Sequence, residues 1–138
     1  MKTLDMQLIR YMNLFGRITK TRAKHCFVYN NMIIFVVPRI KVKRAIGIDN
    51  SNLKKMSEIL SKRIRIVAEP QGNQDLLSFV KTIVSPVQFK SLEIKENEAV
   101  ISAGREGKAR LIGRQRIRQK ELQNILEQYF GIKTIRFI

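Results

Sequence analysis

Cysteine, histidine and acidic residues are scarce in this 138-residue chain, and each shortage excludes a chemistry. The single cysteine, Cys26, excludes an internal disulfide and fits a reducing, cytoplasmic compartment. The single histidine, His25, is its neighbour on an expected strand, where adjacent side chains point to opposite faces, so the two make no Cys–His dyad. One Cys and one His also fall short of a four-ligand zinc site. Asp5, Asp49, Asp75 and the scattered glutamates show no paired spacing, and no GKS or GKT follows the glycines between Gly104 and Gly113. The chain is therefore not expected to be an enzyme, nor to need a metal, cofactor or small-molecule substrate. Long hydrophobic runs are missing too. The longest, MIIFVV at Met32 to Val37, has six residues and reads as a strand, whereas a spanning helix needs about 20. MKTLDMQLIR, interrupted by Asp5 and Arg10, does not read as a secretory signal.

Basic charge is what the chain has in excess. Lys and Arg number 27 against 11 acids, a formal net charge of +16, more than solubility requires. A polyanionic partner follows, with nucleic acid first and an anionic membrane surface second; the lack of apolar runs disfavours the membrane. At 44% hydrophobic residues the chain can fold as one ordinary domain or as two small ones with marginal cores.

The order of elements favours two. RAIGIDN at Arg44 to Asn50 returns 66 residues later as RLIGRQR at Arg110 to Arg116. At the same offset Cys26 and Val28 fall on Leu92 and Ile94, IIFVV on AVISA, Asn30-Asn31 on Glu96-Asn97, and Leu60 on Leu126. Only four of thirteen positions are identical from Arg44 to Met56, so the shared order carries the repeat rather than the letters.

Each copy begins with a helix, marked by the stripe Leu4, Leu8, Met12 and Phe15 with Ile9 alongside, and by LLSFV at Leu76 to Val80. A hairpin follows, then a brief helix ending at Gly47 or Gly113, which reads as a left-handed cap. A longer helix buries Leu53, Met56, Ile59 and Leu60 in the first copy. In the second it buries Leu122, Ile125, Leu126 and Tyr129, and Gly131 ends it. RIRIVAE and KTIRFI are the closing strands. PQGNQ at Pro70 to Gln74 marks the boundary, giving domains 1–70 and 71–138, and its shortness suggests docked halves. Tyr29, Phe35 and Phe79 read as core aromatics rather than base-stacking platforms, and Cys26 as a small buried hydrophobe.

Helix, strand, strand, helix, glycine loop, helix, strand is the order of a type II KH domain. Ala45-Ile46-Gly47 and Leu111-Ile112-Gly113 resemble the end of the helix before its GXXG loop. With two copies and the C-terminal YFGIKTIRFI, the chain from about Leu4 to Ile138 resembles the archaeal NusA family of transcription termination factors. That family reads AIGKGG-x-N at both loops. Here Ile48, Asp49 and Asn50 replace lysine and two glycines, while Asn52 keeps the asparagine. In the second loop Arg114 keeps the basic position, and Gln115 and Arg116 replace both glycines.

The resemblance implies an α+β fold of two tandem type II KH domains and a non-catalytic, single-stranded RNA-binding role in termination or antitermination. RNA polymerase is a further candidate partner. A KH loop clamps about four nucleotides, with backbone N–H groups and the next helix's N-terminus facing phosphate. The expected contacts are Lys43, Arg44, Gly47, Ile48, Asp49, Asn50, Asn52 and Lys54 in the first copy. In the second they are Lys108, Arg110, Gly113, Arg114, Gln115, Arg116 and Arg118. From Arg105 to Lys120 seven basic residues accompany one acid, Glu106, so the second site is expected to dominate. Asp49 repels phosphate, whereas Asn50 tolerates positive φ and is expected to cap the following helix. Substitutions on these exposed turns are expected to leave stability nearly unchanged. The competing reading is a KH-fold scaffold whose decayed loops dock RNA polymerase or a ribosomal particle without RNA.

Overall fold

The computed structural model describes residues 6–138. Leu4, expected on the first apolar stripe, lies outside them. The chain divides into two compact units, Met1–Glu69 and Pro70–Ile138.

In the first unit α1 (Met6–Thr19) precedes a hairpin of β1 (His25–Tyr29) and β2 (Met32–Val37). Tyr29 pairs with Met32, so the connection is the two residues Asn30 and Asn31. Both have positive φ, 52° and 59°, as a tight hairpin turn following the strand twist requires. Then come α2 (Val42–Ile46), α3 (Ser51–Leu60) and β3 (Arg63–Ala68). β2 is central, antiparallel to β1 and parallel to β3. Every residue of β2 is buried, which explains its unbroken apolar run. Cys26, Ile33, Phe35, Val37 and Ile66 form one core with Tyr11 and Phe15 of α1, Ala45 of α2 and Met56 of α3. Phe15 and Phe35 stack with ring centroids 4.4 Å apart at its centre. His25 lies on the other face of β1 from Cys26, and burial pushes its pKa below the usual histidine value.

The second unit repeats the order with α4 (Leu76–Val84), β4 (Ser91–Lys95), β5 (Glu98–Ser102), α5 (Arg105–Ile112), α6 (Ile117–Phe130) and β6 (Thr134–Phe137). β5 is central, antiparallel to β4 and parallel to β6. Leu122, Ile125 and Leu126 of α6 are buried, and Phe79 meets Tyr129 and Phe130 edge-on. The fold is α+β, two tandem type II KH domains.

Two details of the apolar stripes differ from expectation. Ile59, expected inside, is 54% exposed, because Leu53, Met56 and Leu60 already cover the core side of α3. On α1, Tyr11 is buried in addition to the expected Phe15, with Leu8 and Met12 half-buried against the same core.

Candidate nucleic-acid interface

Each long helix, α3 and α6, is entered through the same backbone path. Gly47 leaves α2 at φ 83°, ψ 169°, and Gly113 leaves α5 at φ 75°, ψ 172°. These are not left-handed caps as the sequence suggested. Positive φ with ψ near 170° belongs to a region essentially closed to any residue with a Cβ. The true left-handed cap is Gly131, at φ 66°, ψ 21°. Space is short at the loops as well. A Cβ on Gly47 would lie 2.6 Å from Ser51 Oγ, and one on Gly113 would lie 3.0 Å from the Arg118 backbone nitrogen.

The next positions of each loop share a second backbone feature. Asp49 (φ 53°, ψ 36°) and Asn50 (φ 61°, ψ 26°) are both left-handed, as are Gln115 (φ 55°, ψ 29°) and Arg116 (φ 61°, ψ 23°). Both loops thus hold non-glycine residues in a conformation that favours glycine. Asn and Asp visit this region more readily than Gln and Arg, so the second loop carries more strain. This revises the expectation that loop substitutions leave stability unchanged. Gln115→Gly should raise stability by about 0.5–1 kcal/mol, strain relief of about 1–2 kcal/mol exceeding the added unfolded-chain entropy. Asp49→Gly should gain less. Urea unfolding midpoints measure both, and a lower midpoint for Gln115→Gly would contradict a left-handed residue there.

Two expected contacts are committed inside the protein. Asn52 donates Nδ2 to the carbonyls of Ala45 (3.0 Å) and Arg44 (3.4 Å), tying the end of α2 to the start of α3. Arg118, its equivalent 66 residues on, lays its aliphatic stem beside Gly113 and pairs its guanidinium with Glu121. That partner stands one residue beyond the basic window ending at Lys120, so the window, with Glu106 as its one acid, did not include it. Asn50 likewise makes no side-chain cap on α3, and neither does Arg116 on α6. No side chain caps either helix; the first amides, of Ser51 and Ile117, donate instead to the loop carbonyls of Ile48 and Arg114, at an end where the helix dipole favours an anion.

Around them Ile48, Asp49, Asn50, Arg114, Gln115 and Arg116 are exposed, Ile48 by 85%. Arg114 and Arg116 have no ion-pair partner among the described residues. Lys43, Arg44, Lys54 and Arg110 are also exposed on the flanking helices, whereas Lys108 is half-buried in α5. Among the described residues no group of three or more His, Cys, Asp or Glu is placed to hold a metal ion. No described helix is long and apolar enough to cross a membrane.

An apolar groove is expected beside each loop, and beside the first lies one of about 580 Å³, whose strand-side residues Met32, Arg63, Ile64 and Arg65 the sequence reasoning missed. Asn50, Leu53, Lys54 and Ser57 line one side, Met32, Arg63, Ile64 and Arg65 the other. Met32, Leu53 and Ile64 give it apolar surface, and its charges are Lys54, Arg63 and Arg65 with the acid Glu58. The signal available was the mismatch of Leu53 and Ser57 with Gln119 and Gln123 at the repeat offset.

Comparison with known proteins agrees with this architecture over nearly the whole chain. A probable transcription termination protein NusA from Halococcus morrhuae is 26% identical over 136 residues, 96% of this chain and 96% of its own. One of the same name from Thermoplasma acidophilum is 25% identical over 137 residues, 96% of this chain and 93% of its own. The crystal structure of APE1850 matches with a TM-score of 0.65 and 27% identity, covering 98% of this chain and all of that one. No protein-family model matches. The chain is similar, in both copies, to the archaeal NusA family of transcription termination proteins.

Proposed function

From a likeness to archaeal transcription termination proteins that spans both units, we propose that this chain is a non-catalytic, cytoplasmic factor that binds single-stranded RNA during termination or antitermination. Each unit acts as one KH domain, residues 1–70 and 71–138. Phosphates lie against Gly47–Asn50 and Gly113–Arg116, with Lys43, Arg44, Lys54, Lys108 and Arg110 contributing positive potential. RNA polymerase is the protein partner in this reading. The observation that carries it is the identical backbone of the two loops, each opening onto helix amides that no side chain caps. Four left-handed residues at equivalent places support this reading, because such a backbone suits close approach to phosphate.

Salt dependence is the test. Each phosphate neutralised on a single strand contributes about −0.7 to the log–log slope of affinity against salt. Roughly four to six contacts across two loops give a slope of about −3 to −4. Filter-binding titration with a mixed single-stranded RNA pool over a salt series reads it directly. Duplex DNA should compete poorly, because the groove admits unpaired bases. Affinity that ignores salt, or no RNA binding at all, would favour a scaffold that docks an acidic protein surface instead. Asp49 in the first loop is the feature that keeps this second reading in play.

A further inference from the structure

The two copies differ most where the long helix meets the outer strand of its sheet. In the first, Leu53 of α3 faces the groove opposite Ile64 of β3 and has no hydrogen to donate across it. In the second, Gln119 stands at the Leu53 position and donates Nε2 to the carbonyl of Ile135, the equivalent of Ile64, at 3.1 Å. Gln123, at the Ser57 position, donates to the carbonyl of Ile132 at 2.9 Å. Ser57 makes a comparable bond in the first copy, to the carbonyl of Lys62 just before β3 at 2.9 Å, so the copies agree here and differ at Leu53 and Gln119. A further difference lies between strands rather than between helix and strand. Glu98, at the Met32 position, accepts from Arg136 Nε at 3.3 Å, and Arg136 is the equivalent of Arg65. In the second copy Gln119 ties the helix to the strand edge; in the first Leu53 leaves that edge open.

An unpaired base needs a flat apolar seat for its ring and backbone donors or acceptors for its edge. The first groove supplies the seat from Met32, Leu53 and Ile64, with no α3 amide occupying the Ile64 carbonyl. In the second the equivalent carbonyl, that of Ile135, is already bonded to Gln119. Its loop carries the opposite advantage, since Arg114 and Arg116 stand where the first loop has Ile48 and Asn50. We propose that the two copies bind different parts of one RNA strand. The first groove alone recognises bases, and the second copy holds the phosphate backbone through its loop arginines. This rests on the RNA reading above.

The experiment compares two probes on the full chain: single-stranded homopolymer RNAs of about ten nucleotides and an abasic ribose-phosphate oligomer of equal length. The wild-type protein should bind its best homopolymer about tenfold tighter than the abasic probe, the scale of one base–side-chain contact. Installing the second copy's glutamines in the first (Leu53→Gln with Ser57→Gln) should bring that ratio close to one and leave abasic affinity unchanged. Gln119→Ala with Gln123→Ala should not lower the ratio. Loss of the ratio in the second pair, or its survival in the first, overturns the division of labour while RNA binding stands. Failure of the wild type to bind either probe overturns the RNA reading itself. Should the Leu53 variant not fold, photocrosslinking of thiouridine-substituted RNA to the wild type decides the matter. Adducts at the first groove support the inference, and adducts on Gln119 or Gln123 overturn it.

Discussion

Replacing Gly113 with alanine should lower stability by about 2–3 kcal/mol, as read from chemical unfolding. Residues with a Cβ in this backbone region cost about 1–3 kcal/mol, and alanine recovers at most about 1 kcal/mol by stiffening the unfolded chain. Crowding adds to the cost. The new methyl would stand 2.7 Å from Arg118 Cγ and 3.0 Å from the Arg118 backbone nitrogen. A side chain can swing away, but the first turn of α6 cannot move without disturbing the loop. Gly47→Ala should be milder, because its nearest neighbours are the side chains of Ser51 and Asn52. Gly131 is the internal control. It has open space around a Cβ and ordinary left-handed geometry, so Gly131→Asn should cost little. Gly113→Asn should cost about as much as alanine. Equal tolerance at both positions would mean that Gly113 is only a helix cap.

The largest effect on binding should come from Arg114 and Arg116. Changing both to alanine should weaken single-stranded RNA binding by about 2 kcal/mol or more, roughly thirtyfold, if each makes one charge-assisted bond to phosphate. The structure narrows the choice to this pair. Arg118 follows the same glycine, but its guanidinium already has Glu121. Lys54→Ala with Lys55→Ala should cost less, since lysine binds phosphate as a single point charge and Asp49 opposes it nearby in the chain. Titration calorimetry of both double variants against one RNA ranks the sites. Equal losses would reject the greater weight given to the second loop. The same variants should retain native circular dichroism, because neither pair is buried.

The sequence by itself determined the duplication, the order of elements and most of the core. Those signals are local: a helix stripe from Leu8 to Phe15, the continuous run Met32 to Val37, the paired asparagines of the hairpin. Each is decided within a few residues by periodicity or turn chemistry. It also located both loops, since a glycine after a short helix at a repeated offset survives where identity does not. Three matters waited for the tertiary structure. The conformation of Gly47 and Gly113 depends on ψ as well as φ, and ψ is set by how the following helix packs, not by the glycine. The fates of Asn52 and Arg118 turn on which carbonyl or carboxylate the folded chain brings within reach. The contrast between an open and a tied strand edge joins Leu53 to Ile64 and Gln119 to Ile135. Those pairs belong to different elements, and only the docking of helix on strand edge makes a leucine leave a gap where a glutamine closes one.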